Sequence, residues 1–234
     1  MAMIADVRPA EVELLASVRL FQSFSDAEVR QLACSGKRRN YPKGEVVYHQ
    51  DDPANSLFVI LRGTVKMQVT SPDGKQMTIA WMTKGNFFGT ISVFGSGARP
   101  EDAIAVEPCE LLVLDREEIR DIMRRHPESV EILLETMANR WRHAIQLVCD
   151  LAFLDVPARV AKVLLNFSRT RGEEDEDGAI VIRHMTQPEL ASLVGATRES
   201  VHNSLTSFAR QGWIECQRGS IRILQPSSLR QRLS

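Results

Sequence analysis

The sequence predicts an α+β fold in which an antiparallel β-roll is followed by a long helix and a small C-terminal module. Three observations predict it. Short alternating runs separated by glycines fill residues 41–115. Apolar residues then recur at alternating spacings of four and three from Val130 to Leu151. Finally, two short helical segments flank a glycine turn at residues 194–196.

The composition is that of a folded globular protein. The chain has 234 residues, of which 44% are hydrophobic and 25% charged, so one large or two small domains can each bury a core. No apolar run is long enough to span a membrane. The first fifteen residues mix acids with apolar residues and lack a basic segment, so they do not read as a signal peptide. We therefore expect a cytoplasmic protein with no membrane partner.

The charge is unevenly distributed along the chain. The formal net charge is −1, yet residues 178–234 carry seven arginines and three glutamates and no lysine or aspartate, a local charge of +4. The remaining residues are therefore acidic, at −5. A small basic module on an acidic body is a first indication that the C-terminal part meets a polyanion.

The cysteines predict neither a metal site nor a disulfide framework. They are widely scattered, with no CxxC pair and no paired histidine spacing: Cys34, Cys109, Cys149 and Cys216. We expect free thiols and no metal.

Residues 7–36 precede the roll and have a helical pattern. Ser25 and Glu28 have the spacing of a capping box, in which each side chain accepts from the other residue's backbone amide. Gly36 is expected to end this helix.

The roll is predicted from strand-like runs such as GEVVYHQ, SLFVILRGTVKMQVT and CELLVLD, which alternate between apolar and polar residues. Glycines recur between the runs about every ten residues. Short strands at this interval are typical of a compact antiparallel barrel or sandwich. The segment Ser71–Gly74 (SPDG) has the composition of a hairpin turn.

The helical period returns after Arg116, and Pro127 separates a short helix from a long one. The long helix carries seven apolar residues at coiled-coil spacing: Val130, Leu134, Met137, Trp141, Ala144, Val148 and Leu151. Such a seam predicts a homodimer. The alternative is an amphipathic helix packed on its own domain. Leu133 and Ile145 widen the stripe, as they would if the helix met both a partner helix and the roll.

The segment after the long helix is a second helix followed by a charged loop. Asp155 can cap this helix, and Pro157 lies in the first turn, where a missing N–H costs nothing. The loop at residues 169–178, RTRGEEDEDG, is predicted to be solvated and without function.

The C-terminal module has the pattern of a winged helix-turn-helix. Thr186 and Glu189 form a second capping box, and Val194-Gly195-Ala196 is a tight turn. Thr197 can cap a second helix that runs to about Arg210. The following WIECQRGSIRIL reads as two strands around Arg218-Gly219, which form the wing.

The start of the second helix has side chains suited to reading DNA bases. In a helix-turn-helix, the N-terminal residues of this helix meet base edges in the major groove. Arg198 can donate two hydrogen bonds to guanine, and Glu199 can accept one from cytosine. With the local positive charge, these features predict binding to double-stranded DNA. No GxSxG, P-loop, HExxH or convergent carboxylate pair appears, so we expect no enzyme.

Over nearly its whole length the chain resembles the Crp/Fnr family of dimeric bacterial transcription regulators. The segments that carry the resemblance are LAFLDVPARVAKVLLN (151–166), MTQPELASLVGATRES (185–200) and GNFFGTISVF (85–94). It implies a cyclic-nucleotide-binding-like β-roll with flanking helices (1–127), a dimerisation helix and hinge (128–154) and a winged helix-turn-helix (155–234). It also implies a near-palindromic DNA site, a homodimer and RNA polymerase as a partner.

The resemblance assigns roles to residues of the DNA-binding module. Gln187 matches a position that contacts phosphate, while Thr197 begins the recognition helix, whose Arg198 and Glu199 match base-reading positions. His202 precedes Asn203, which falls where the family usually carries arginine. We therefore expect one base contact to be weakened or changed.

The effector pocket departs from the family's cAMP pattern. Members that bind cAMP place Gly-Glu after an aromatic-rich turn, Arg-Ser about ten residues later, and Thr-Ser on the dimer helix. This chain has Phe88-Gly89-Thr90 at the first motif, Arg99-Pro100 at the second and Ala144-Ile145 at the third. Three of the four polar features are lost, and each unpaired ligand group costs about 1–3 kcal/mol.

The substitutions in the pocket disfavour cAMP as the effector. A different cyclic nucleotide, a cyclic dinucleotide, or no effector at all remain as alternatives. Arg99 either binds the ligand or forms an ion pair with Glu101 or Asp102, which follow it at once.

Two other functions are open from the sequence. In the first, the protein binds DNA without an effector, and the roll serves only as a scaffold for dimerisation. Alternatively, the chain is a regulatory module that acts on a partner protein and not on DNA. A steep salt dependence of DNA binding distinguishes the DNA-binding regulators from the last class.

Overall fold

The computed structural model describes residues 9–91, 95, 97–183, 185–217 and 219–233. Within this part, the chain forms two compact units. The first unit comprises the described residues up to Ser71 together with Ile79–Arg142, and the second comprises Pro72–Thr78 together with His143–Ser234. The predicted α+β architecture is confirmed.

The first unit opens with two helices, α1 (Pro9–Ser17) and α2 (Asp26–Ser35), joined by a short 3₁₀ turn at Arg19–Phe21. The predicted capping box of α2 is confirmed, because the Glu28 amide donates to Ser25 Oγ and the Ser25 amide donates to Glu28 Oε2. A buried apolar cluster holds both helices against the roll.

Gly36 ends α2, as predicted. Its φ is −63°, in the extended region that any residue can adopt. A Cβ built on Gly36 would lie 2.7 Å from Leu112 Cδ1 and 2.9 Å from Leu114 Cδ2. Glycine is needed here because the chain passes close to strand side chains.

The roll is built from two four-stranded antiparallel sheets, in the orders β1-β8-β3-β6 and β2-β7-β4-β5. Its strands are β1 (Lys37–Tyr41), β2 (Val46–Tyr48), β3 (Ser56–Arg62), β4 (Thr64–Thr70), β5 (Gln76–Thr83), β6 (Phe87–Phe88), β7 (Asp102–Ala105) and β8 (Cys109–Asp115). The inward side chains form a second buried cluster, which includes Phe58 and Phe88. The predicted hairpin turn is confirmed, since SPDG connects β4 to β5 and Gly74 has a φ of +79°.

Two helices follow the roll, α3 (Arg116–Arg125) and the long α4 (Pro127–Phe153), and they separate at Pro127 as predicted. In α4, Ser129 and Leu133 are buried. None of the helices in the described part of the chain combines the length and apolar character that a membrane crossing requires.

The second unit contains the winged helix-turn-helix, with α5 (Val156–Arg171), α6 (Gln187–Val194), α7 (Arg198–Arg210) and the short α8 (Pro226–Gln231). One antiparallel sheet has the order β11-β12-β10-β9, from β9 (Glu173–Glu174), β10 (Ile180–Arg183), β11 (Ile214–Gln217) and β12 (Ser220–Ile223). The predicted caps at Asp155 and Thr186 are present. The wing turn includes Arg218, which lies outside the described residues.

The acidic loop is mostly exposed, as predicted, and two of its acids also bind an arginine of the wing. Asp175 Oδ2 and Asp177 Oδ2 lie 2.8 Å and 3.0 Å from Arg222 Nη2, on β12. Glu215 of β11 holds the same guanidinium at 2.7 Å. The loop is therefore linked to the wing by ion pairs, because the Arg222 guanidinium binds two carboxylates of the loop and one of β11.

Candidate DNA interface and effector pocket

The helix-turn-helix is formed by α6 and α7 around a left-handed glycine. Gly195 ends α6 with a φ of +60° and a ψ of +49°. Thr197 then caps α7, and its Oγ1 accepts from the Ser200 amide at 3.1 Å. The turn orients α7 because glycine adopts this conformation without the steric cost of a Cβ.

The first turn of α7 presents Arg198 and Glu199 to solvent, and Thr197 beside them is exposed as well. Behind them, α7 buries Val201, Leu205 and Phe208 against its own domain. The amphipathic helix thus fixes which side chains face outward. The exposed set is the one predicted to contact base edges.

Gln187 and His202 meet on the same surface. Gln187 is the first residue of α6, and its Nε2 lies 3.4 Å from His202 Nδ1. Asn203, the next residue of α7, is also exposed. The structure therefore places all six predicted DNA-binding residues on exposed parts of the helix-turn-helix.

Arg99 is buried inside the roll, with 3% of its surface exposed. Its Nη2 donates to the Ser56 carbonyl at 2.9 Å and its Nη1 to the Gly89 carbonyl at 3.4 Å. The guanidinium lies over two aromatic rings, 4.3 Å from the Tyr48 centroid and 5.3 Å from that of Phe58. The contacts of Arg99 thus include two backbone carbonyls and two aromatic rings.

The two acids after Arg99 have partners of their own. Glu101 accepts from the Tyr48 hydroxyl at 3.1 Å, and Asp102 accepts from the Gln50 amide at 2.8 Å. Burial raises the pKa of Glu101, and it also raises that of Tyr48. Burial lowers the pKa of Arg99, which the nearby Glu101 opposes.

The glycine of the pocket motif is required on two grounds. Gly89 has a φ of +85°, which disfavours any residue with a Cβ. A Cβ there would also lie 2.9 Å from the Ser56 carbonyl oxygen and 2.6 Å from Arg99 Nη1. The turn and the arginine therefore fit each other only because residue 89 lacks a side chain.

The long helix contributes a second arginine to this region. Arg140 Nη2 donates to the Phe87 carbonyl at 2.6 Å, and its Nη1 donates to Thr90 Oγ1 at 3.2 Å. Burial lowers the pKa of Arg140, and Glu101 opposes that shift. Two guanidiniums and one carboxylate therefore form one polar cluster around the Phe87–Thr90 turn.

Of the predicted pocket residues, the structure brings Phe88, Gly89, Thr90 and Arg99 together. Phe88 stacks on Phe58 with 5.0 Å between ring centroids, and Thr90 is buried. Pro100, Ala144 and Ile145 are instead exposed.

The seam on α4 is largely open to solvent in the single chain. Six of its seven predicted residues are exposed, with Leu134, Trp141 and Val148 at 63%, 68% and 64%. Met137 differs, because it packs against the core of the roll and its Sδ lies 3.9 Å from Thr90 Oγ1. Met137 therefore also anchors the helix to the roll.

Comparison with known proteins finds a different family model for each of two parts of the chain. The family model for the cyclic nucleotide-binding domain matches residues 38–126, and that for the Crp-like helix-turn-helix domain matches residues 158–232. The chain is 34% identical to the CRP-like cAMP-activated global transcriptional regulator of Mycobacterium tuberculosis, an alignment that covers 94% of this chain and 98% of the relative. The chain belongs to the CRP/FNR family of transcription regulators.

Two further matches agree with this membership. The cyclic AMP receptor protein of Thermus thermophilus is 31% identical, over 90% of this chain and 94% of its own. The c-di-GMP responsive global regulator CLP of Xanthomonas campestris has the same fold, with a TM-score of 0.76 and 22% identity over 85% of this chain and 99% of its own. This CRP/FNR protein is thus a CRP-like DNA-binding transcription regulator.

Sequence reasoning missed three residues of the pocket in this CRP/FNR protein: Tyr48, Phe58 and Arg140. A signal for Arg140 was present, because Leu133, Met137 and Arg140 have the spacing of four and three that places residues on one helix face. For Tyr48 and Phe58 no local signal existed. Their strands belong to different sheets, and only the closure of the roll brings both rings beneath Arg99.

Among the residues that the structure describes, no group of three His, Cys, Asp or Glu side chains is arranged as a metal site would be.

Proposed function

We propose that this protein is a homodimeric, sequence-specific transcription regulator that reads a near-palindromic site in double-stranded DNA and acts with RNA polymerase. The observation that carries the proposal is the exposed first turn of α7, where Arg198 and Glu199 project from a capped helix. These side chains suit guanine and cytosine in the major groove. Gln187 and His202 supply flanking contacts to phosphate.

Dimerisation follows from the exposed stripe on α4. Leu134, Trp141 and Val148 lie on one face over two heptads, and large apolar side chains rarely stay exposed in a row on a monomer. A second copy of α4 would cover the stripe with the same residues, as an isologous coiled coil requires. Each dimer would then carry two recognition helices about one turn of DNA apart.

The test of dimerisation is sedimentation velocity of the intact chain at micromolar concentration. We expect a dimer for the natural sequence and a monomer for Leu134→Lys, because the buried lysine ammonium would lack a partner. The matched control is Glu131→Lys, an exposed residue of the same helix. A monomeric natural protein, or a dimeric Leu134→Lys variant, would contradict the proposal.

The test of DNA binding is selection of duplexes from a random library, followed by affinity measurements over a range of salt concentrations. We expect a near-palindromic consensus with half-sites 10 to 11 base pairs apart, and a steep fall in affinity with salt. A module that acts only on a partner protein would select no sequence.

For the effector, we propose a cyclic nucleotide or cyclic dinucleotide other than cAMP. The relatives named above as cAMP-activated or as a cyclic AMP receptor support a nucleotide in the roll. The residues argue against cAMP itself. Thr90 and Pro100 stand where cAMP-binding members carry a carboxylate and a hydroxyl, and Arg99 is engaged by Ser56 and Gly89.

Calorimetric titration with cAMP, cGMP and cyclic di-GMP, one ligand per run, tests this assignment. We expect no micromolar binding of cAMP. Micromolar cAMP binding would overturn the proposal, and silence from all three ligands would favour a regulator whose roll is only a scaffold. Binding of cGMP or of cyclic di-GMP without binding of cAMP would support the proposed effector class.

A further inference from the structure

A cavity of about 360 Å³ lies beside the helix-turn-helix, and all of its lining residues belong to the second unit. We call it the α7 cavity. Two apolar side chains form part of its wall, together with five polar ones from α6, α7 and β11: Gln187, His202, Thr206, Arg210 and Cys216. The roles assigned above leave Thr206, Arg210 and Cys216 without a function.

The chemistry of this lining favours an anion. Each of the five polar side chains can donate a hydrogen bond, and none of the described residues that line the cavity is acidic. Arg210 adds a permanent positive charge. Burial raises the pKa of the Cys216 thiol, which therefore stays uncharged at neutral pH. Several donors around one guanidinium suit a compact anion such as a phosphate group.

The charge of Arg210 is available to a ligand. Its side chain is exposed, in the last turn of α7. Other arginines of this unit are held by carboxylates, as Arg183 is by Glu173 and Arg222 is by Asp175. Among the residues that the structure describes, no carboxylate forms an ion pair with Arg210. An external anion therefore meets no competing acid there.

The α7 cavity adjoins the surface that is proposed to meet DNA. Arg198, His202, Thr206 and Arg210 follow one another at intervals of four residues, so they form one row on the surface of α7. From Arg198 to Arg210 the helix rises about 18 Å. At the cavity, Gln187 Nε2 of α6 lies 3.4 Å from His202 Nδ1. The row thus begins at a predicted base contact and ends at the cavity.

We propose that the α7 cavity binds a phosphate group of the DNA backbone through Arg210 and Thr206. The proposal rests on the DNA-binding function proposed above and extends the contact from the first turn of α7 to its last. Arg210 neutralises the phosphate and releases a counterion from the DNA, whereas Thr206 donates a neutral hydrogen bond. Such a contact orients α7 on the duplex and has no base preference.

The salt dependence of DNA affinity tests the role of Arg210. Arg210→Gln removes one phosphate contact per subunit, so the slope of log affinity against log salt should become shallower by about 0.9 per subunit. Affinity should fall equally for the selected site and for an unrelated duplex, because both have the same backbone. Arg210→Lys keeps the positive charge and should keep the slope.

The matched control is Arg230→Gln. Arg230 is likewise exposed in the last turn of a helix of this unit, α8, but it does not line the cavity. Its variant should have the slope of the natural protein. Thr206→Val should weaken binding about three- to tenfold without changing the slope, because it removes a hydrogen bond and no charge. An unchanged slope in Arg210→Gln, or the same change in Arg230→Gln, would overturn the proposal.

Titration of the DNA-free protein with inorganic phosphate, at constant pH and ionic strength, tests the cavity independently of DNA. The NMR signals of the His202 ring should shift in a saturable way in the natural protein and in Arg230→Gln, but not in Arg210→Gln. Absence of a shift that depends on Arg210 would overturn the cavity as the phosphate site.

The two measurements separate this proposal from the proposed function. A protein that binds DNA with an unchanged slope in Arg210→Gln would retain its function and lose the phosphate contact. A protein that binds no DNA would refute the proposed function. A saturable shift that depends on Arg210 would then assign the cavity to a free phosphate compound and overturn the DNA backbone as its ligand.

Discussion

The guanidinium of Arg140, on the long helix α4, donates to the backbone carbonyl of Phe87 in the roll at 2.6 Å. Arg99 donates to the Gly89 carbonyl from within the roll. The turn that carries the family's pocket motif therefore accepts hydrogen bonds from two arginines, one on α4 and one in the segment before β7. The turn is thereby bonded directly to α4.

We expect Arg140→Ala to lower the free energy of unfolding by about 1–3 kcal/mol, because the buried Phe87 carbonyl would lose its donor. Arg140→Lys should recover part of the loss, since one ammonium can reach one of the two acceptors. Chemical denaturation measures both. The control is Arg142→Ala on the same helix, where the arginine is exposed and bonded to Asn139. Equal losses at the two positions would contradict this account.

Gly89→Ala should destabilise the protein more than Gly74→Ala does. Both glycines have positive φ, +85° and +79°, so both variants share a conformational cost of about 1–2 kcal/mol. Only at Gly89 would the new Cβ meet the Ser56 carbonyl, at 2.9 Å, whereas nothing lies within 4 Å at Gly74. The difference between the melting temperatures of the two variants measures the effect of the clash with Ser56. Identical melting temperatures would show that the roll relaxes around the new Cβ.

Arg198→Ala should relax the preference for guanine at one position of each half-site, by about 1–3 kcal/mol of discrimination. Binding to a panel of single-base variants of the selected site measures the effect. The comparison is Gln187→Ala, a predicted phosphate contact, which should weaken binding to every sequence alike. An unchanged base preference in Arg198→Ala would refute the assignment.

Asn203→Arg should tighten binding to duplexes that have a guanine opposite residue 203, by about tenfold. The reason is that arginine offers two donors to guanine, whereas asparagine pairs best with adenine. Competition between duplexes that differ at this one base tests the prediction. Equal affinity of the variant for both bases would show that residue 203 does not reach the groove.

Acid should weaken the junction between the N-terminal helices and α4 through Glu28. Hydrogen bonds from His126 and from Ser25 hold the pKa of Glu28 at about 2, against an ordinary value of 4.5. A lowered folded-state pKa contributes stability above pH 4.5 that is lost as the pH falls towards 2. Glu28→Gln should therefore flatten the fall in stability over this window in urea titrations. If the stability of the variant falls equally steeply with pH, the acid sensitivity arises from other carboxylates.

Local chemistry in the sequence predicted most of the elements. The capping boxes at Ser25 and Thr186 and the turn at Gly195 depend on residues within three or four positions of each other, and all three appear as predicted. The spacing on α4 likewise predicted a stripe that the structure leaves exposed. Such features are readable because hydrogen bonds near a helix end and the helical period are properties of a short segment.

The sequence failed where a residue's role depends on distant partners. Gly36 was predicted only as the end of α2, whereas the structure shows that a Cβ there would lie 2.7 Å from Leu112 Cδ1. The acidic loop reads as solvated, yet Asp175 binds Arg222 from a strand 47 positions further along the chain.

By itself, the sequence determined the α+β architecture, the recognition helix and the departures from the cAMP motif. Only the tertiary structure decided what surrounds Arg99. Its aromatic rings and carbonyls come from β2, β3 and the turn after β6, which meet only when the roll closes. The physical reason is that the periodicity of the sequence determines on which side of its own helix or strand a side chain lies. Which residues of other elements it contacts is determined only when the elements pack together.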